Sequence, residues 1–153
     1  MYSYTMIKYN KTYKYTIQNV SFGNLSRAAL IRIFKDGRYV SPLIEEHLTI
    51  WFPGLTRIEG NKDHDHVDKK GIIYDAKNFT KNGMMFMPSN QIGASRKYDP
   101  KITEQKANKL IYICCDVVDF PDVKVRFIPG KQLIKSYPKA KVPYGERDSF
   151  FGE

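Results

Sequence analysis

Asp75 and Lys77 stand two residues apart in Ile72-Ile73-Tyr74-Asp75-Ala76-Lys77, a run whose β-branched and aromatic residues predict a strand. Alternate side chains of a strand share a face, so the carboxylate and the ammonium project together while Ala76 points away. Asp65 precedes Asp75 across the turn signal Lys69-Lys70-Gly71, and a hairpin closed there returns one carboxylate to the other. Two carboxylates and a lysine are the groups that phosphodiester hydrolysis uses. The oxygens suit a hard divalent cation such as Mg²⁺, and the ammonium orients water or offsets charge growing on the phosphorus oxygens. An Asp-x-Lys pair alone is common on solvated strands, so its setting decides its meaning.

That setting, Asp65 followed by Asp75-Ala76-Lys77, resembles the PD-(D/E)xK nuclease superfamily. More narrowly, Glu59-Gly60-Asn61, Asp65-His66-Val67-Asp68, Gly71 and Tyr74 to Lys77 look like the hairpin of PvuII-like type II restriction endonucleases. The resemblance implies an α/β, restriction-endonuclease-like domain with a central mixed β-sheet flanked by helices. It also implies Mg²⁺ held by Asp65 and Asp75, water assisted by Lys77, and a homodimer that cuts both strands of double-stranded DNA. The hairpin register also admits Asp63 or Asp68 as the first carboxylate, Asp68 being the weakest because turn aspartates usually serve the backbone. The superfamily often adds an acidic residue from a preceding helix, for which Glu45, Glu46 and Glu59 are candidates. A homing endonuclease or a Holliday-junction resolvase can use the same catalytic core.

A second nuclease pattern overlaps the first. Asp63-His64-Asp65-His66, Gly71-Ile72-Ile73 and Asn78 resemble the His-Me finger (HNH) enzymes, in which a histidine activates water. Tyr74 and Lys77 stand where that family carries zinc cysteines, and Cys114-Cys115, the only cysteines, cannot replace them. Within the preferred reading His64 and His66 flank the scissile phosphate or lie in solvent. From another class, the chain reads as a DNA-binding module without catalysis.

The net charge of +9 favours a polyanionic partner, because cations that neutralise phosphates release condensed counterions. Lys8, Lys11, Lys14, Arg27, Arg32, Lys35 and Arg38 face Asp36 alone among the first 38 residues, which suggests a basic clamp on the phosphate backbone. After the Asp-x-Lys strand, Asn90, Gln91, Ser95, Arg96 and Lys97 form a segment suited to reading base edges, with amides for adenine and arginine for guanine. Adjacent cysteines disfavour a disulfide framework, and no apolar run is long enough to cross a bilayer or to form a signal peptide, so a cytoplasmic protein without a membrane partner is expected.

The elements that must position these groups follow from periodicity and turn chemistry. A single domain is expected over 1–153, with a basic hairpin and helix in 1–38 and the catalytic core in 55–128. The pattern predicts a β-hairpin over Tyr4 to Ile17 turning at Asn10-Lys11, and a helix from Asn24 or Ser26 to Lys35 stopped by Gly37. A second helix is predicted from Ser41 to Trp51, and strands over Leu55 to Ile58, Ile72 to Lys77 and Met84 to Met87. An antiparallel pair follows at Leu110 to Val118 and Val123 to Ile128, then a short helix over Gly130 to Tyr137 and a peripheral tail.

Overall fold

The computed structural model describes residues 6–60 and 64–152. Along the chain these form β1 (Thr12–Thr16), α1 (Arg27–Phe34), α2 (Gly37–Trp51), β2 (Thr56–Arg57), β3 (His66–Val67), β4 (Ile73–Phe79) and β5 (Met84–Met85). After a 3-10 turn at Ser89–Gln91 come α3 (Pro100–Ala107), β6 (Ile111–Asp116), β7 (Asp122–Pro129), α4 (Gly130–Ser136), β8 (Lys141–Val142) and α5 (Arg147–Phe151). The main sheet runs β1-β7-β6-β4-β3-β2, antiparallel except for the parallel pair β4 and β6, and β5 pairs with β8 in a small separate ribbon. This is a mixed α/β architecture with helices on both faces of a mixed sheet. No helix among the described residues is long and apolar enough to cross a membrane.

Strand β6 explains why the sheet needs two covers. It is apolar on both faces, and in a strand with side chains alternating this gives two cores rather than one. Ile113 and Cys115 enter one cluster with Val40, Ile44 and Leu48 of α2, whereas Tyr112 and Cys114 enter another with Ala107 of α3, Leu133 of α4, and Phe150 and Phe151 of α5. Both cysteines are buried and free, as their place on an apolar strand implies. The same alternation sets β4: Tyr74 and Ala76 face α2, while Ile73 and Phe79 face the α3 to α5 side.

Four expectations change. Residues 6–17 hold one strand, not a hairpin: Asn10 takes a left-handed conformation (φ 62°) and donates its N–H to Phe127, so β1 pairs with β7 instead of with the segment before it. The upstream arm, from Tyr4, begins outside the described residues. Helix α2 starts at Gly37, before Ser41, because Asp36 caps the Arg38 N–H and Gly37 is helical rather than a stop. A Cβ at Gly37 would lie 3.2 Å from the Thr80 methyl and 3.3 Å from Asn78 Cβ, so glycine lets the helix start seat tightly on the end of β4. Helix α3 was not foreseen, although Asp99-Pro100 is a strong start signal, with the Asp99 carboxylate accepting from Lys101 and Ile102. Finally, the tail is not peripheral: β8 pairs with β5, and Phe151, 2% exposed, packs edge-on against Phe79.

Candidate functional site

The hairpin of β3 and β4 turns where the sequence places it. Gly71 is left-handed (φ 81°), and the Asp68 carboxylate accepts from the Lys70 and Ile72 N–H groups and from the Tyr74 hydroxyl. Asp68 thus serves the turn. The register pairs His66 with Tyr74 and Val67 with Ile73 and ends there, one step short of Asp65 and Asp75. Asp65 also donates its own N–H to the Tyr74 carbonyl, so Asp65 and His66 together oppose one residue, the pattern of a β-bulge.

The bulge ends regular pairing one step before Ala76, whose N–H needs another acceptor. Both oxygens of the Asp65 carboxylate supply it, at 3.0 and 3.1 Å. Asp65 Oδ1 also accepts from His66 Nδ1 at 2.7 Å, and His66 Nε2 faces the Glu45 carbonyl of α2 at 3.3 Å. His66 is fully buried with both ring nitrogens engaged, which overturns the expectation that it contacts a phosphate or lies in solvent. It props Asp65 from behind. His64 is half-buried, and its Nδ1 has no hydrogen-bond partner among the described residues. Asp63 lies outside them.

Asp75 and Lys77 share a face of β4, and the Lys77 ammonium lies 3.4 Å from Asp75 Oδ2. A third group, absent from the sequence reading, completes the arrangement: Lys106 of α3 reaches the same oxygen at 3.3 Å, its side chain 12% exposed. The Asp99-Pro100 signal predicts a helix there, but only the packing of α3 over β4 brings its lysine to Asp75. Burial, with the Asp75 charge adding to it, raises the Asp65 carboxyl above the ordinary carboxylate value, against the pull of the His66 and Ala76 hydrogen bonds. A buried carboxyl raised in part by a neighbouring carboxylate is what a divalent cation would relieve. Mg²⁺ commonly takes one or two carboxylates and fills its shell with water and substrate oxygens, so Asp65 and Asp75 suit it in number and hardness. Among the described residues no further His, Cys, Asp or Glu makes a group of three.

The other acidic candidates are occupied elsewhere. Arg57 binds Glu45 at 3.0 Å and Glu59 at 2.8 Å, and Glu46 is exposed on α2. Glu45 is the one tied to the hairpin, through its backbone and His66.

Lys77 also borders a cleft of about 780 Å³ between the α1–α2 corner and the β4–β5 turn. Arg32, Lys35, Arg38 and Lys81 line it with Lys77, and the one acid among its described lining residues, Asp36, is bonded to Arg38. The basic N-terminal set is therefore divided: Arg32, Lys35 and Arg38 face this cleft, whereas Lys14 lies against Lys124 in another depression. The segment expected to read bases is divided too. Asn90, Ser95, Arg96 and Lys97 are exposed, with Arg96 bonded to the Ile92 carbonyl. Gln91 is buried, and its side-chain oxygen accepts from the Asp99 N–H and the Thr103 hydroxyl. It braces the start of α3. Compared with family models, curated proteins and solved structures, the chain matches none of them.

Proposed function

We propose that the protein is a magnesium-dependent DNA endonuclease of the PD-(D/E)xK kind, with a restriction-endonuclease-like fold, that hydrolyses phosphodiester bonds in double-stranded DNA as a homodimer. The observation that carries this reading is the double placement of Lys77, which ion-pairs with Asp75 on one side and borders a basic cleft on the other. A phosphate drawn into the cleft by Arg32, Lys35 and Lys81 arrives beside an ammonium already oriented by a carboxylate. Lys77 then holds the attacking water or offsets charge on the non-bridging oxygens, and His66 keeps Asp65 aimed through its 2.7 Å bond. Asp65 and Asp75 are the residues that would hold Mg²⁺, which supplies Lewis acidity toward the phosphate and acidifies its bound water. A sequence-specific restriction role is the first choice within this class.

The test is incubation with plasmid and branched DNA in Mg²⁺ or EDTA. Metal-dependent cutting is expected, with Asp75→Asn and Lys77→Ala each lowering it by at least about a hundredfold while DNA binding persists. A ladder of discrete fragments indicates sequence-specific cleavage, and preference for four-way junctions a resolvase. The Nδ1 of His64, without a partner among the described residues, favours one second reading, the His-Me mechanism. Cleavage that survives Lys77→Ala and vanishes in His64→Ala selects it. No cleavage of any substrate leaves the DNA-binding module.

A further inference from the structure

On the α4 and α5 side of the sheet, two strands from Lys77 and thus roughly 10 Å away, Arg126 carries a charge that the site above does not use. In register it lies between Cys114 of β6 and Thr12 of β1, on the face covered by α4 and α5. A guanidinium has five N–H donors. One amino group of Arg126 donates to the Phe150 carbonyl, and the Phe150 ring lies 6.0 Å from the guanidinium carbon. Among the described residues its buried Nε has no acceptor and no carboxylate forms an ion pair with it. The Thr12 hydroxyl, on a residue 4% exposed and directly across from Arg126, is likewise buried without a partner among the described residues.

Arg126 borders a cavity of about 180 Å³. Arg126 lines it with Asn10, Gln132, Ser136, Tyr137 and Ser149, and no acid is among its lining residues. Asn10 and Gln132 exchange amide hydrogen bonds at 3.0 Å in both directions, which fixes both side chains and leaves each a second N–H. Beyond burial, the Glu146 carboxylate lies close enough to raise the Tyr137 hydroxyl but does not line the cavity. A partly buried cation with an unmet donor favours an anion or acceptor beside it, and a planar guanidinium amid neutral groups matches an oxygen-rich anion. The space is many times what one water needs.

We propose that this cavity is a binding site for a small tetrahedral oxyanion, either inorganic phosphate or the phosphate of a small monoester, gripped by Arg126 and oriented by Gln132. The site is independent of the nuclease reading, since it uses none of Asp65, Asp75 or Lys77.

Calorimetric titration of the full chain, at matched ionic strength, with inorganic phosphate and with a nucleoside 5′-monophosphate tests it. Saturable one-to-one binding is expected, weakened about ten- to a hundredfold by Arg126→Gln, the loss of charge-assisted hydrogen bonds. Gln132→Leu, on an exposed part of α4, keeps the test open if Arg126→Gln does not fold, and it too is expected to weaken binding. Tighter binding of the monophosphate identifies a phosphate ester as the occupant, whereas tighter binding of phosphate identifies the free ion, and either supports the site. Absence of saturable binding, binding unchanged in Arg126→Gln or in Gln132→Leu, or equal loss in Lys77→Ala would overturn it.

Discussion

Two ammonium groups on one oxygen of Asp75 pose a question of competition. Lys77 and Lys106 both stand where a divalent cation would share the carboxylate, so part of the cost of binding Mg²⁺ is displacing them. Lys106→Met removes one competitor, and the Mg²⁺ concentration giving half-maximal cleavage is expected to fall severalfold. A higher requirement would mean that Lys106 supports the metal site through the substrate. Asp65 gives a second prediction from acidity. Its folded pKa lies above 3.8, so between 3.8 and that raised value the folded protein holds more protons than the unfolded chain. Its contribution to stability is present below 3.8 and is lost as pH rises through the raised value. The difference in urea midpoint between the native protein and Asp65→Asn, measured across that window in EDTA, should show this slope. Asp119, lowered by its hydrogen bond to Arg147, slopes the opposite way in both proteins and cancels. Strand spacing made the Asp75 and Lys77 pairing legible in the sequence. The bonding of Asp65 to Ala76 was not, because it depends on a bulge that no spacing rule locates.

Gln91 shows how an element can absorb a residue that composition offers to a ligand. Among small and basic neighbours its amide reads as a base contact, yet its oxygen holds the Asp99 N–H at 2.8 Å and the Thr103 hydroxyl at 3.1 Å, at the start of the helix that delivers Lys106. Gln91→Leu leaves the buried Thr103 hydroxyl without its acceptor, so a loss of about 1–3 kcal/mol in denaturant unfolding is expected. Unchanged stability with weakened DNA binding would return Gln91 to the interface. Periodicity identified β4, β6 and β7 because each has apolar runs bounded by turn residues. It misread the N-terminal segment and the tail, where pairing partners lie far along the chain: β1 joins β7, and β8 joins β5. Local sequence carries no direct record of such long-range choices.

At the scale of the whole molecule, the net charge of +9 becomes informative only through its distribution. Evenly spread lysines give weak, nonspecific attraction, whereas the cleft gathers Arg32, Lys35, Arg38, Lys77 and Lys81 along one path from α1 to β4, with Arg38 partly neutralised by Asp36. If DNA follows that path, each of the four remaining cations that meets a phosphate adds about 0.9 to the steepness of log K against log salt. Neutralising Arg32, Lys35 and Lys81 together should then weaken binding and reduce the slope by nearly 3. Neutralising Lys8, Lys11 and Lys14 instead, which include a lysine on a different depression, should leave the slope nearly unchanged. Fluorescence anisotropy with a labelled duplex over a salt series separates the two. Equal reductions from both triple variants would mean that DNA is attracted by total charge, and the cleft would lose its place as the route to Lys77.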